Sequence, residues 1–333
     1  MTIYIKYLTL YIIIHFISFF LSRQFNLTDK PNNRKIHSNK IPYASGIAIY
    51  FFLIVLTQYH NIEIKIIIYF SSLMLLIGLI DDIFELKPLI KIFLISIPII
   101  LLINQGYNLD SLGQYEYFGD LKLGKYSFFF TYLCIALLIN AYNYNDGIDG
   151  LGISQLIIPL FYFIFLLEKS NQNNFALNIL SMCLIFTFFF NINNNPFYKS
   201  FLGNSGSLFI GYLLSFLIIH LYVVNNIHPA YLIWSVAYLV YEFLTVTILR
   251  LMNKKKLFKP SQDHFHHLIF YYFNKSHIYT TILISIISLL FIASGYFVVE
   301  FFGFTYSLFL YLIIFIFYFF FRLYLNKSLS KSE

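Results

Sequence analysis

The sequence predicts an all-α polytopic membrane protein with ten or eleven transmembrane helices. Of its 333 residues, 59% are hydrophobic and only 11% are charged, and the mean hydropathy is +0.73. A soluble domain would carry about 25% charged residues. The apolar residues also fall into runs of about 20, the length that crosses a bilayer. We therefore expect a single helical bundle over residues 1–333, without a separate soluble domain.

Eleven apolar runs qualify as spans, although several are short. They lie near 3–21, 44–60, 64–80, 89–104, 126–142, 151–168, 174–191, 206–224, 229–251, 277–299 and 304–324. The first run resembles the apolar part of a signal peptide, but no small-residue cleavage site follows it, so it is expected to stay as the first helix. Cys134 and Cys183 both lie inside runs, which indicates neither a disulfide framework nor a cysteine metal site.

The distribution of basic residues predicts the orientation. If the N-terminus is outside, the inside segments are 22–43, 81–91, 143–150, 192–205, 250–276 and the tail from 322. They contain 17 of the 22 Lys and Arg residues, and the outside keeps five. The positive-inside rule then places the N-terminus outside and the C-terminus inside. The net charge of +7 is mostly a topology signal and does not indicate nucleic-acid binding.

Every polar cluster that resembles a reactive site falls in the inside segments. The outside segment 105–125 shows no catalytic constellation, and its apolar and polar residues alternate between glycines. This pattern predicts a small hairpin on the outer surface.

The segment from Asn140 to Gly152 reads N-A-Y-N-Y-N-D-G-I-D-G-L-G. Asn140 and Asn143 share a helix face if the helix continues that far, and Asp146 and Asp149 repeat the spacing. Carboxylates are costly at a membrane boundary, so they indicate a functional site. Interhelical turns also favour Asn, Asp and Gly, but this repeated pattern is much rarer by chance than one Asp-Gly pair.

Asp81 and Asp82 directly follow an apolar run, and no partner lysine lies in the neighbouring turn. Adjacent carboxylates repel each other, so one should have a raised pKa unless a cation lies between them. This arrangement suits a general base beside a metal. The alternative is a pair of topology markers, but Asp contributes little to orientation.

The first inside segment carries Arg34, Lys35 and His37. These residues could bind anionic lipid head groups. They could also hold a phosphorylated substrate, since Arg and Lys both suit phosphate oxygens. Composition alone favours the lipid interpretation.

Gly203 and Gly206, together with Ser205 and Ser207, form a glycine-rich turn that opens a helix. Free backbone N–H groups at a helix N-terminus suit a diphosphate. Glycine and serine also mark ordinary loops, so this pattern is weak on its own.

The longest inside loop contains His264, His266 and His267 after Asp263. Imidazole is a common metal ligand, but no cysteine or second spaced histidine pair completes a tetrahedral zinc set. Imidazoles that hydrogen-bond a phosphate or nucleotide fit the nearby lysines better. His277 is one of several lone histidines to which the pattern assigns no role.

These motifs, in this order, resemble the bacterial polyprenyl-phosphate N-acetylhexosamine-1-phosphate transferases, which include the enzymes that initiate O-antigen and teichoic-acid assembly. The resemblance runs from D-K-P-N-N-R-K-I-H to H-F-H-H-L, nearly the whole chain. It implies transfer of a sugar-1-phosphate from a UDP-N-acetylhexosamine to undecaprenyl phosphate, with release of UMP. It further implies a site on the cytoplasmic face of the bacterial inner membrane and Mg²⁺, or Mn²⁺, at the diphosphate.

The resemblance also implies roles for single residues. Asp81 and Asp82 match the paired catalytic carboxylates, and Asn143 matches a metal-binding amide. The nucleotide side is matched by Asp146 and Asp149. The histidine motif, expected near the diphosphate of the sugar nucleotide, is matched by His264, His266 and His267.

The chain departs from the family pattern at Asn204, where the turn usually carries an aspartate metal ligand. Asn204 is expected to ligate the metal through its amide oxygen. The peptidoglycan branch, the phospho-MurNAc-pentapeptide transferases, carries a proline directly before the histidines, so P-S-Q-D-H-F-H-H-L fits the other branch better. A transporter and an inactive scaffold are the alternatives from other classes. The sequence leaves open whether the chain acts as a monomer or a homodimer.

Overall fold

The computed structural model describes residues 2–29, 39–59, 62–256 and 263–329. The helices of these residues are α1 (Thr2–Gln24), α2 (Ser45–Tyr59), α3 (Ile62–Phe84), α4 (Pro88–Asn104), α5 (Ser127–Asn145), α6 (Leu151–Lys169), α7 (Phe175–Asn191), α8 (Gly203–Val223), α9 (Pro229–Leu232), α10 (Ala237–Met252), α11 (Phe265–Tyr272), α12 (His277–Phe302) and α13 (Phe304–Leu329). Two antiparallel ribbons pair β1 (Thr28–Asp29) with β2 (Ile41–Pro42) and β3 (Ser111–Tyr115) with β4 (Gly119–Lys122).

The helices confirm the prediction of an all-α polytopic membrane protein. By length and composition, seven helical segments of the described residues can cross a membrane, and three shorter apolar helices lie in α2, α4 and α7. The span predicted at 229–251 is divided into α9, a 3-10 helix over Ile233–Val236, and α10. Trp234 packs at this break, where Gly295 makes room, since a Cβ on Gly295 would lie 2.0 Å from the indole.

Several helix ends differ from the predicted ones in a consistent direction. α3 continues past residue 80 to Phe84, α5 continues past 142 to Asn145, and α8 begins at Gly203 rather than at 206. Hydropathy marks the membrane boundary, whereas a helix ends where its backbone hydrogen bonds end. Each of these extra helical turns therefore contains polar residues that lie outside the predicted membrane span.

Glycines allow α2, α3 and α8 to approach closely. A Cβ on Gly78 of α3 would lie 2.3 Å from the Cα of Ser205, and a Cβ on Gly46 of α2 would lie 2.2 Å from the Cα of Gly206. No side chain fits at either position, so the three backbones meet at the start of α8. This contact brings the end of α3 to the N-terminus of α8.

The strands β3 and β4 confirm the hairpin that was predicted for segment 105–125. Glu116, in the turn between them, accepts hydrogen bonds from the N–H groups of Phe304 and Thr305, each at 2.8 Å. These are among the first N–H groups of α13, which have no acceptor within the helix. The hairpin therefore caps α13.

The β1–β2 ribbon was not predicted. The carbonyl of Pro42 accepts a hydrogen bond from the N–H of Phe201 at 3.0 Å. This bond ties the first predicted inside segment to the chain that leads into α8.

Candidate active site

Segments that are far apart in sequence surround a cavity of about 560 Å³. The cavity is lined by Asp29 and by residues within 39–43, 82, 143–149, 191–207 and 267–277. Each of these stretches lies in or next to a segment that was predicted to be inside. The polar clusters of the sequence thus converge at one end of the helix bundle.

Asp82 caps the N-terminus of α8. Its Oδ1 accepts the N–H of Asn204 at 2.8 Å, and its Oδ2 accepts the N–H of Ser205 at 3.0 Å. Asp82 lies beyond the apolar run of α3, and burial raises its pKa to about 6, although these hydrogen bonds lower it and the charge of Asp81 adds a smaller increase. One carboxyl of the pair does have the raised pKa expected, but the main cause is burial rather than mutual repulsion.

Asp81 has a partner that the sequence analysis missed. Lys91 of α4 lies 2.8 Å from its Oδ2, and the N–H of Leu86 donates to its Oδ1 at 2.9 Å. Lys91 also donates to the Oδ1 of Asn143 at 3.2 Å. A cation is therefore held between the first aspartate and the asparagine motif.

The two amides predicted as metal ligands contact each other. The Nδ2 of Asn143 donates to the Oδ1 of Asn204 at 2.9 Å and to the Oγ of Ser207 at 2.7 Å. All three side chains line the cavity. The asparagine of α5 and the first turn of α8 thus form one hydrogen-bonded group.

Asp149 is also paired with a lysine. Its Oδ2 forms an ion pair with the Nζ of Lys199, and its backbone N–H donates to the Nδ1 of His277 at 3.1 Å. The hydroxyl of Thr281 donates to its carbonyl at 2.8 Å. His277, to which the sequence analysis assigned no role, therefore helps to hold this loop and lines the cavity.

Asp146 differs from the other aspartates of the site. Within the described part of the chain its carboxylate accepts no hydrogen bond, although it lines the cavity. Burial raises its pKa well above the usual range, and the charges of Asp149 and Asp82 raise it further. A carboxylate that is buried near other negative charges binds a proton or a cation readily.

The three histidines of the motif occupy different positions. His267 lines the cavity, whereas His264 lies outside its wall. His266 is fully buried, and within the described residues neither ring nitrogen has a hydrogen-bond partner. Burial lowers the pKa of His266 well below its usual value and that of His267 to about 4, so both rings are neutral at pH 7.

Among the residues that the structure describes, four predicted site residues do not line the cavity: Asp81, Asn140, His264 and His266. Asn140 lies on α5 with Asn143, but its amide donates to the carbonyl of Ala136 at 2.7 Å and the residue does not line the cavity. Arg34, Lys35 and His37 fall outside the described residues.

Lys91 and Lys199 are the main site residues that sequence reasoning missed. Each lies in a predicted inside segment, where it was counted only as a topology signal. Each pairs with a carboxylate on a different structural element, at a sequence separation of 10 residues for Lys91 and 50 for Lys199. The sequence did place both lysines on the same side of the membrane as the aspartates, and this shared side was the signal that could have linked them.

Oxygen atoms that suit Mg²⁺ occur on the cavity wall, in the carboxylates of Asp82 and Asp146 and the amides of Asn143 and Asn204. Among the residues that the structure describes, no group of three or more His, Cys, Asp or Glu side chains is placed to hold a metal. An ion here would depend on the amides, on Asp146 and on substrate phosphates. Mg²⁺ commonly binds in this manner, through one or two carboxylates together with phosphate oxygens.

Comparison with known proteins agrees with this geometry. The profile of glycosyl transferase family 4 matches residues 64–222, which include the aspartate pair, the asparagine motif and most of α8. An undecaprenyl-phosphate alpha-N-acetylglucosaminyl 1-phosphate transferase of Yersinia pestis is 28% identical over 252 residues, which cover 73% of this chain and 69% of that protein.

Two further relatives have similar names. The Escherichia coli K12 protein of the same name is 26% identical over 260 residues, 75% of this chain and 70% of its own length. A "Probable undecaprenyl-phosphate N-acetylglucosaminyl 1-phosphate transferase" of Bacillus subtilis is 28% identical over 276 residues, 80% of this chain and 76% of its own length. With its membrane helices and its polar cavity, the chain is thus similar to glycosyl transferase family 4 over residues 64–222, and to these transferases over 73–80% of its length.

Proposed function

We propose that this protein transfers N-acetylhexosamine-1-phosphate from a UDP-sugar to undecaprenyl phosphate and releases UMP. Its relatives are named for that acceptor and for the transfer of N-acetylglucosamine 1-phosphate, which favours UDP-N-acetylglucosamine as the donor. The observation that carries the proposal is the cavity, in which Lys199 pairs with Asp149 beside the amides of Asn143 and Asn204. Asn143 also accepts a hydrogen bond from Lys91, which does not itself line the cavity.

In the overall reaction a bond forms between an oxygen of the lipid phosphate and the phosphorus that bears the sugar. The bond from that phosphorus to the UMP oxygen breaks, and UMP leaves with the electron pair. Phosphoryl transfer depends mainly on positioned oxygens and on neutralised charge, with little covalent work for the protein. A polar cavity at the membrane surface suits this requirement, because one substrate is water-soluble and the other is a lipid.

The site residues fit distinct tasks in this reaction. Lys91 and Lys199, each fixed by a carboxylate, supply positive charge for phosphate oxygens. Asn143 and Ser207 offer an amide and a hydroxyl that orient the donor. Asp146, which lacks a hydrogen-bond partner within the described residues, is the carboxylate best able to take a proton or bind a cation.

Mg²⁺, or Mn²⁺, bound by Asn143, Asn204 and Asp146 would neutralise the diphosphate charge. The fit of these oxygen donors supports such an ion.

We also propose that the protein lies in the bacterial cytoplasmic membrane with the cavity on the cytoplasmic side. Support comes from the excess of Lys and Arg in the segments that surround the cavity. On this face the protein would initiate a cell-envelope polysaccharide, such as O-antigen, capsule or teichoic acid.

The test uses the purified protein in vesicles with undecaprenyl phosphate and a panel of UDP-sugars that includes the UDP-MurNAc-pentapeptide. The expected result is UMP release that is fastest with UDP-N-acetylglucosamine and absent without the lipid phosphate. Preference for the pentapeptide donor would assign the protein to the peptidoglycan branch. No UMP release from any donor would contradict the proposal and favour a scaffold or transporter.

A further inference from the structure

A buried ion pair lies behind the cavity, between α10 and α13. Glu242 is 4% exposed and Arg322 is 0% exposed. The Nε of Arg322 donates to the Oε2 of Glu242 at 3.1 Å, and the hydroxyl of Tyr318 donates to the same oxygen at 2.7 Å. In the sequence, Arg322 is a topology signal and Glu242 belongs to no motif, and neither residue has a role in the proposed reaction.

The ion pair holds the N-terminus of α11, the helix that carries His266 and His267. The other carboxylate oxygen of Glu242 accepts the N–H of Phe265 at 2.7 Å, and Arg322 donates to the carbonyl of Asp263 at 2.6 Å. The residue at the N-cap position, His264, makes no side-chain capping bond of its own. The cap of α11 is therefore supplied by two other helices.

α11 in turn packs against the loop that carries Asp146 and Asp149. A Cβ on Gly147 would lie 3.1 Å from the Nε2 of His266 and 3.4 Å from the ring of His267. The two histidines thus pack against the backbone at Gly147, between the two aspartates. A continuous set of contacts joins Arg322 and Glu242, through α11, to the wall of the cavity.

Stability alone is a weak reason for such a pair. Removing two charges from water is costly, and well-packed apolar residues in place of a buried ion pair are often neutral or stabilising. What apolar residues cannot supply is an acceptor for the N–H of Phe265 and a donor for the carbonyl of Asp263. These two bonds determine where α11 begins.

We propose that Glu242 and Arg322 are positioning residues, which hold α11 so that its histidines and the 146–149 loop bind the nucleotide donor. This inference rests on the proposed function for its substrate, although the placement of α11 can be measured without turnover. Neither residue lines the cavity, so both act through α11.

The decisive variant replaces both charges at once, as Glu242→Leu with Arg322→Met. The double variant should fold with a Tm moderately below that of the wild type, because it leaves no buried charge unpaired but removes the acceptor of the Phe265 N–H and of the Tyr318 hydroxyl. Its KM for UDP-N-acetylglucosamine should rise about tenfold or more, while the KM for undecaprenyl phosphate changes less than about twofold. Glu242→Gln leaves Arg322 without its counter-charge but keeps one oxygen that can accept the N–H of Phe265, so it should raise the donor KM less than the double variant does and lower the Tm.

Glu300→Gln is the matched control. It removes the ion pair between Glu300 and Lys169, which joins α12 and α6 away from the cavity. Its KM for the donor should equal that of the wild type. A double-mutant cycle with His267→Ala should be non-additive for Glu242→Gln and additive for Glu300→Gln, because only Glu242 acts through α11.

Amide hydrogen exchange supplies the readout that is independent of activity. The N–H of Phe265 should exchange faster in the Leu–Met double variant, while the amides of α8 keep their wild-type rates. A folded double variant with wild-type donor KM and wild-type exchange at Phe265 would overturn the inference. A wild-type protein without UMP release would contradict the proposed function, and the exchange rate of Phe265 would still decide whether the ion pair positions α11.

Discussion

Asn204 is the residue at which one added charge should change the site most directly. Its amide oxygen already contacts Asn143, and its backbone N–H is held by Asp82. We expect Asn204→Asp to lower the Mg²⁺ concentration for half-maximal UMP release by about three- to tenfold. A charge pair at ~4 Å is worth about 4 kcal/mol at an effective dielectric of 20. The gain should be smaller, since the asparagine already offers an oxygen and water completes the coordination of Mg²⁺.

Asn173→Asp is the control for this prediction. Asn173 is exposed, and its side-chain oxygen accepts the N–H of Phe175 at 2.9 Å, a bond that a carboxylate can also make. This variant adds the same charge away from the cavity and should leave the Mg²⁺ dependence unchanged. An unchanged or higher Mg²⁺ requirement in Asn204→Asp would mean that residue 204 is not a ligand. Its role would then be to hold the first turn of α8.

The two aspartates of α3 should respond differently to removal of their charge. Asp81→Asn takes the counter-charge from Lys91 and should reduce turnover by about 10²-fold or more, with normal expression. Asp82→Asn should reduce turnover to a similar extent and also lower the Tm. An amide has one acceptor oxygen for two N–H groups, which costs about 1 kcal/mol.

Turnover and Tm measured side by side test this difference. Asp120→Asn, a change in the exposed outer hairpin, is the control and should behave as the wild type. Full activity in both site variants would remove the pair from the mechanism.

The N-terminus of helix α8 requires glycine at position 203 for two reasons. Gly203 has φ +69°, and a Cβ there would lie 2.7 Å from the ring of Tyr43 and 2.8 Å from the Oδ2 of Asp82. Gly203→Ala should therefore destabilise the protein by about 2–4 kcal/mol, from left-handed strain together with overpacking.

Gly124→Ala separates these two effects. Gly124 has φ +52°, and no described atom lies within 4 Å of the position that a Cβ would take. Strain alone applies there, and the expected loss is about 1–2 kcal/mol. Thermal unfolding in detergent measures both variants, and equal losses would show that the close contacts at Gly203 relax without cost.

Helices could be predicted from the sequence where they depend only on the residues of their own segment. The apolar runs located the spans, because apolar length is a property of each segment alone. The helix α11 was missed, since its eight residues are too few for a periodic pattern and its cap comes from Glu242, far away in sequence. Lys91 and Lys199 were missed for a similar reason, because their carboxylate partners lie on other elements, Asp81 on α3 and Asp149 in the loop before α6.

For the whole molecule, the charge distribution predicts that the two ends of the bundle lie in different compartments. Reporter fusions that end at Asp110 and at Lys256 should give opposite signals, with Lys256 on the cytoplasmic side. A fusion at Lys169 is a useful control, because it should agree with Asp110. A cytoplasmic signal at Asp110 would contradict the orientation.

The helix α13 is held near both of its ends by carboxylates from elsewhere in the chain. Glu116 binds the N–H of Phe304, and Glu242 binds the guanidinium of Arg322. Arg322 lies 18 positions after Phe304, a distance of about 27 Å along the helix at 1.5 Å per residue, close to the ~30 Å hydrocarbon thickness of a bilayer. Spanning helices usually answer a change in bilayer thickness by tilting. Because α13 is bonded to other parts of the chain near both ends, it can tilt less. The surrounding bilayer must therefore change its local thickness to match the helix.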